Sequence, residues 1–137
     1  MGKNPIKVLL ADNGFRVTEA RRAVLQILMN EEKPVDVALI ESTLENNQIE
    51  ANQVTIYRML EAFVEKGLVT RLDFQEGKFR YELSKSKHHH AICEKCGTVA
   101  DVKNCAVAEM EKDIANKHHF LVKRHALEFF GLCANCQ

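Results

Sequence analysis

The stretch His88-His89-His90-Ala91-Ile92-Cys93-Glu94-Lys95-Cys96 places two kinds of metal ligand within nine positions. Three imidazoles precede a Cys-x-x-Cys pair, and a second such pair follows near the end of the sequence. Two Cys-x-x-Cys pairs separated by a small subdomain are typical of a tetrahedral four-thiolate zinc site, in which each pair supplies two sulfurs. We therefore predict structural Zn(II) on Cys93, Cys96, Cys133 and Cys136.

The histidines predict a second kind of metal site. Alternate side chains of a strand share a face, so His88 and His90 point together and His89 points away. Glu82 upstream and Asp101 downstream can add carboxylates to the first pair. Nitrogen and oxygen donors together suit Fe(II), Mn(II) or Zn(II). We predict a regulatory metal site on Glu82, His88, His90 and Asp101, the alternative being a solvated end of a strand.

A third metal site is an open alternative on the opposite face of the same strand. There His89 and His125 are expected to meet an acidic residue, Glu109 or its neighbour Glu111. The ligands predicted for this third metal site are His89, Glu109 and His125. The alternative is a strand histidine that binds no metal.

The 137-residue chain has a formal net charge of zero, and its residues up to Glu82 include 11 basic and 13 acidic side chains. Overall charge therefore gives no argument for a nucleic-acid partner, and only local clusters of cations can. No apolar run is long enough for a membrane span, and the first residues lack a signal-peptide core. We expect a cytoplasmic protein without a membrane partner, with reduced cysteines.

The first part of the chain predicts a winged helix. Helices are expected over residues 3–12, from a Thr18 cap to about Asn30, from an Asp36 cap to Asn46, and from an Asn52 cap to Gly67. Strands follow at Leu68–Phe74 and Phe79–Leu83. Residues 1–83 would be the DNA-binding domain, and 84–87 a linker.

The fourth helix would present polar side chains at its start, where a helix-turn-helix contacts base edges. Arginine can pair with guanine and glutamine with adenine, and the wing's cations can contact phosphate. A small helical bundle whose polar face meets only water is the alternative. The predicted DNA contacts are Gln53, Thr55, Tyr57, Arg58, Lys78 and Arg80.

Residues 88–137 are too few to bury a large core unaided, so the zinc site would stabilise this second domain. A strand is expected at Val99–Lys103, a helix from an Asn104 cap to about Lys117, and one or more strands within Phe120–Phe130.

The sequence resembles the ferric uptake regulator superfamily of dimeric, metal-dependent repressors along nearly its whole length. The motifs that carry the resemblance are Gly14–Arg21, Val54–Arg58, Glu65–Val69, Arg80–Leu83, His88–Gly97 and His125–Cys136.

The resemblance implies an α+β fold, with an N-terminal winged helix-turn-helix domain and a small C-terminal α/β dimerisation domain that holds structural zinc. It implies the same zinc and regulatory ligands as above, DNA contacts by Tyr57 and Arg58 with Arg21 near phosphate, and an AT-rich inverted repeat bound by a homodimer. The sequence departs from the family where Lys33 replaces a hinge histidine, and where Lys87 and Ala108 replace ligands of the third site.

We expect a metal-responsive transcriptional repressor with no enzymatic activity, most simply an Fe(II)-dependent one. The rivals are a peroxide sensor, a Zn(II)- or Mn(II)-responsive regulator, and a winged-helix protein whose DNA binding ignores regulatory metal. A zinc hydrolase or deaminase is disfavoured, because a closed four-cysteine site leaves no position for water and the deaminase His-x-Glu motif is missing.

Overall fold

Each helix in the first part of the chain begins at a polar side chain that caps it. In the computed structural model, which describes residues 4–84, 88–103 and 106–137, the side chains of Asn4, Thr18, Asp36 and Asn52 accept hydrogen bonds from the first turns of the helices that follow. These bonds satisfy amide donors that have no partner within the helix. The helices are α1 (Pro5–Asp12), α2 (Glu19–Asn30), α3 (Val37–Asn46) and α4 (Gln53–Glu65).

The chain forms two compact units, Met1–Ser84 and Lys85–Gln137. The first unit contains a single apolar core, to which all four helices contribute. Phe63 of α4 is fully buried there and packs edge-to-face on Phe15, with ring centroids 5.1 Å apart. Gly67 ends α4 with a positive φ of 78°, a conformation that costs glycine little.

A two-stranded antiparallel sheet follows α4 in the first unit. It consists of β1 (Val69–Asp73) and β2 (Phe79–Leu83), with Arg71 opposite Tyr81. Val35, just before α3, pairs with Tyr81 through two backbone hydrogen bonds of 2.9 and 2.7 Å. A helix-turn-helix followed by such a hairpin is a winged helix, as the sequence predicts.

The second unit contains a three-stranded sheet and one helix. The strands are β3 (His89–Cys93), β4 (Val99–Val102) and β5 (Glu128–Gly131), and the helix is α5 (Ala108–His118). β3 lies in the centre, antiparallel to β4 and parallel to β5. α5 buries none of its residues within the chain, and Met110 on it is 64% exposed. Among the described residues, no helix is long and apolar enough to cross a bilayer.

The α+β fold class is confirmed, but two details of the second unit are not as predicted. α5 begins at Ala108 after Val107, without a side-chain cap, so the predicted start at Asn104 is wrong; Asn104 itself lies outside the described residues. Within the predicted strand region Phe120–Phe130, only the last three residues form a strand, as the start of β5 (Glu128–Gly131). This is the segment that pairs with β3, and pairing decides which apolar residues become strand.

The buried position of Phe63 generates a stability prediction. Replacing Phe63 with Ala removes a fully buried ring and leaves a cavity, which should lower the free energy of unfolding by about 3–5 kcal/mol. Urea unfolding followed by circular dichroism measures this. Met29→Ala, at a 42% exposed position on α2, is the control and should change stability by less than about 0.5 kcal/mol. Equal stabilities of the two variants would contradict the assigned core.

Candidate metal centres and nucleic-acid interface

The start of α4 presents an uninterrupted exposed face. Asn52 caps the helix by accepting a hydrogen bond from the Thr55 amide at 2.9 Å. Gln53, Thr55 and Arg58 are exposed, and Tyr57 is 43% exposed although its ring is large and apolar. Such a face, following α3 and a short connection, is the element that a helix-turn-helix inserts into the major groove.

The other cations predicted to contact DNA are held by contacts within the first unit. Arg21 donates from Nη1 to the Arg16 carbonyl at 2.9 Å. Lys78 and Arg80, in and beside the β1–β2 turn, each pair with a carboxylate. Contact of Lys78 and Arg80 with phosphate therefore competes with these internal ion pairs.

The four predicted zinc cysteines come together in the second unit. One sulfur from each can lie within 4.8 Å of all the others. The first pair occupies the turn after β3, where the Gly97 amide donates to the Cys93 carbonyl at 2.9 Å. The second pair follows β5, and the Sγ atoms of Cys96 and Cys133 are 3.7 Å apart. Four converging thiols from two turns can hold a tetrahedral Zn(II) ion.

Local hydrogen bonds distribute charge unevenly over this thiol cluster. The backbone amide of Cys133, followed by that of Cys96, lowers the pKa of the Cys93 thiol to about 6. The Thr98 hydroxyl lowers the pKa of Cys96. The Cys133 side chain raises the pKa of Cys136 to about 12. Near neutral pH, Cys93 of the metal-free cluster is therefore a thiolate, and Cys136 keeps its proton.

His88, His90 and Asp101 form a second donor cluster on one face of the sheet. The two Nε2 atoms of His88 and His90 are 3.1 Å apart, and His90 Nε2 lies 3.7 Å from Asp101 Oδ1. Antiparallel pairing places His90 directly opposite Asp101. Two imidazoles and a carboxylate at these separations can hold a divalent cation that accepts nitrogen and oxygen donors. Glu82, the fourth predicted ligand, is a buried residue of β2 in the first unit.

His89 points to the opposite face and contacts His125. Their Nε2 atoms are 3.1 Å apart, and His125 Nδ1 lies 2.6 Å from Glu111 Oε1. The acidic partner is thus Glu111 and not Glu109, which is exposed. Residues two apart on a helix differ by about 200° in direction, so only one of these two carboxylates can face His125. Lys87 lies outside the described residues.

Sequence reasoning missed the acids that hold the wing's cations and the Thr98 hydroxyl beside Cys96. Asp36 is identifiable from sequence only as a helix cap, because its partner Lys78 is 42 positions away. Glu76, four residues before Arg80, was the detectable one. In a hairpin, however, that spacing does not by itself predict a contact, as it does in a helix.

A winged helix joined to a unit with a thiol cluster and histidine clusters defines a class of metal-binding transcriptional regulators. The model of the ferric uptake regulator family matches residues 12–130, and the chain belongs to this family. Because the family consists of transcriptional regulators, the expectation that the protein is not an enzyme is confirmed.

Individual relatives resemble the chain along most of its length. It is 36% identical over 132 residues to the ferric uptake regulation protein of Legionella pneumophila, covering 93% of this chain and 96% of that one. It is 34% identical to the peroxide operon regulator of Bacillus subtilis, with 93% and 88% covered. The crystal structure of the Vibrio cholerae ferric uptake regulator superposes with a TM-score of 0.77 at 31% identity, covering 91% and 97%.

The uneven protonation of the thiol cluster predicts a pH-dependent affinity for Zn(II). Binding must displace the Cys136 proton throughout the neutral range, so affinity should fall at least about tenfold per unit of decreasing pH. The fall should steepen below about pH 6, where Cys93 also protonates. Competition with a chromophoric chelator measures the affinity.

Two variants that each remove one thiol provide the matched comparison. Cys93→Ser should lose tight Zn(II) binding, whereas Cys105→Ser should keep it, since Cys93, Cys96, Cys133 and Cys136 already supply the four ligands that a tetrahedral Zn(II) ion takes. Zn(II) affinity that is independent of pH, or equal in the two variants, would refute the assigned cluster.

Proposed function

We propose that the protein is a homodimeric, metal-dependent repressor whose regulatory ion is Fe(II). The observation that carries the proposal is the cluster of His88, His90 and Asp101, which is separate from the thiol cluster. Its donors are nitrogen and oxygen, a set suited to Fe(II) and to its analogue Mn(II). A sulfur-free site of this kind binds less tightly than a four-thiolate site and can respond to the supply of metal.

The thiol cluster is proposed as the structural Zn(II) site. Its two halves follow β3 and β5, so a bound ion would tie together the turns at the ends of these adjacent strands. Structural zinc sites of this type bind with about 10–16 kcal/mol, too tightly to empty during ordinary fluctuations of free metal. Its role is to stabilise a small unit that has few buried apolar residues.

Glu82 is proposed as the fourth ligand of the regulatory ion. It belongs to β2 of the winged helix, whereas the other three ligands belong to the second unit. An ion bound by residues of both units favours one arrangement of them, which is how metal binding can change DNA affinity. Lys33, where the family has a hinge histidine, leaves Glu82 as the proposed link.

The proposed partner is double-stranded DNA, an AT-rich inverted repeat bound by two copies of the chain. Six large apolar side chains exposed in the second unit support self-association, which would remove them from water. These side chains are Met110, Phe120, Leu121, Phe129, Phe130 and Leu132. A DNA partner and cysteines used as metal ligands are in keeping with a cytoplasmic location.

The contact of His89 with His125 and Glu111 is proposed as a third, auxiliary metal site. Two imidazole nitrogens and one carboxylate converge there, which gives one donor fewer than the four ligands proposed for the regulatory ion. Weaker binding than at the regulatory site follows from the smaller donor set.

Removing one regulatory imidazole should uncouple DNA binding from metal. An operator can be selected from a random duplex library with the Mn(II)-loaded protein, Mn(II) being the air-stable probe. Mn(II) should tighten wild-type binding to that duplex by about 5- to 150-fold, the usual range of such coupling. In His90→Ala the effect should fall below about twofold. Fluorescence anisotropy measures both affinities.

The matched control is His118→Ala, which removes an imidazole from the exposed end of α5. It should respond to Mn(II) as the wild type does, and all three proteins should contain the same amount of zinc. A full Mn(II) response in His90→Ala would favour a regulator independent of this site. So would operator binding by the wild type that is unchanged by chelators too weak to remove the zinc.

The exposed start of α4 predicts where base recognition resides. Arg58→Ala should weaken operator binding by about 1–3 kcal/mol and relax specificity at one base pair. Lys66→Ala, which removes the same charge from the opposite end of α4, should have little effect on specificity. Anisotropy with operators altered at single base pairs measures the difference, and equal specificity profiles of the two variants would rule out base reading by Arg58.

The likeness to the peroxide operon regulator supports a second candidate, a peroxide sensor at the same site. In that case, Fe(II) held by His88 and His90 would promote oxidation of one of these imidazoles by hydrogen peroxide. Peptide mass spectrometry of the Fe(II)-loaded protein after peroxide treatment distinguishes the candidates. Added oxygen on either histidine favours the sensor, and unmodified histidines favour the iron-responsive repressor.

A further inference from the structure

Two of the wing's three cations, Lys78 and Arg80, are bound by carboxylates of the first unit, whereas the guanidinium of Arg71 in β1 lies 4.6 Å from the centre of the Phe79 ring. Lys78 Nζ lies 2.5 Å from Asp36 Oδ2. Arg80 forms a two-point contact with Glu76, through Nε to Oε1 at 2.5 Å and Nη2 to Oε2 at 3.0 Å. The wing therefore presents two neutralised pairs to an approaching nucleic acid.

The backbone holds Asp36 beside the wing independently of its ion pair. Its Oδ1 caps α3 by accepting from the Leu39 amide at 2.9 Å, which leaves Oδ2 for Lys78. The preceding residue, Val35, is paired with Tyr81 of β2 through both its backbone amide and its backbone carbonyl. Asp36 is thus a preplaced counter-ion for the tip of the wing.

Glu76 is held by the guanidinium that it binds. It lies in the β1–β2 turn, and the Arg80 guanidinium that it binds also lies 5.8 Å from the centre of the Phe74 ring. The Lys78 hydrogen bond is the main cause of the lowered pKa of Asp36, and the Arg80 hydrogen bond is that of Glu76. Both acids are therefore ionised at neutral pH.

These pairs change what the wing can gain from DNA. Sequence-independent binding is driven by cations that neutralise phosphates and release condensed counter-ions. A cation already paired with a carboxylate gains less, because contact with phosphate leaves that carboxylate uncompensated beside a polyanion. Partly exposed ion pairs are weak, however, so other favourable contacts in a complex can displace them.

We propose that Asp36 and Glu76 are specificity-determining residues that withhold Lys78 and Arg80 from sequence-independent DNA complexes. Only a duplex that also satisfies the base-reading face of α4 draws these cations onto phosphate. The proposal rests on the DNA-binding function proposed above. It agrees with the charge of the chain, since 13 acidic residues outnumber 11 basic ones up to Glu82.

Removing each carboxylate charge, while keeping its shape, tests the proposal on a duplex of scrambled sequence. Asp36→Asn retains a good helix cap, because asparagine caps as well as aspartate does. In Asp36→Asn and in Glu76→Gln, the slope of log K against log salt should steepen by about 0.9 for each cation released. Affinity for the scrambled duplex at about 0.1 M salt should then rise about eightfold.

Asp73→Asn is the matched control in the same hairpin. Its side chain accepts from the Gln75 amide at 2.9 Å, so the variant removes one negative charge but releases neither wing cation. Its salt slope should equal that of the wild type. The double variant Asp36→Asn/Lys78→Ala should lose the gain of Asp36→Asn, because the released cation is then missing.

Thermal unfolding of each variant first establishes that it is folded, and Glu76→Gln, which alters no helix cap, provides an independent reading. Unchanged salt slopes in folded Asp36→Asn and Glu76→Gln would overturn the proposal, as would an equal change in Asp73→Asn. Failure of the proposed function appears differently, as a wild-type protein that selects no operator or ignores Mn(II). The measurement on the scrambled duplex requires neither a selected operator nor a response to Mn(II).

Discussion

The register of β3 is the constraint on which all three donor clusters depend. Because β3 is paired on both sides, its alternation is fixed, with His88 and His90 toward Asp101 and His89 toward His125. The same strand ends at Cys93, opposite Gly131, so the parallel strand β5 delivers the second cysteine pair to the first. A shift of one residue would exchange the faces of every histidine.

Much of the fold could be predicted from sequence, because the signals of the first unit are local. The polar caps Thr18, Asp36 and Asn52 are encoded within a few residues of the helices that they begin, and the structure confirms them. The cap of α1, Asn4, was not predicted, because the first helix was expected to begin at residue 3. The second unit was harder, because the position of β5 depends on pairing with a distant strand. The choice of Glu111 over Glu109 required the rotation of α5, which sequence does not give.

The candidate sites likewise divide into those that a local sequence pattern predicts and those that depend on residues far apart in sequence. The cysteine pairs are recognisable because their spacing is itself the geometry of a metal-binding turn. The faces of the three histidines follow from strand alternation alone. Whether Lys78 of the wing is paired with an acid does not follow from the sequence, because its partner Asp36 is far away along the chain. An inventory of basic residues overstates what such a wing offers to phosphate.

A chain with no net charge must obtain its DNA affinity from shape, base contacts and control by metal. Attraction of a polycation for phosphate is unavailable to it. If Glu82 binds the regulatory ion as proposed, DNA affinity depends on that ion. Zinc in the thiol cluster would keep the second unit folded while the regulatory ion comes and goes.

The most direct test of this coupling is its reciprocity. If metal and operator favour the same arrangement, the operator must tighten Mn(II) binding by the same factor by which Mn(II) tightens operator binding. Titration of Mn(II) into the zinc-loaded protein, with and without a saturating selected duplex, measures that factor. We predict equal factors in the two directions. Mn(II) affinity that is unchanged by the operator would contradict the account.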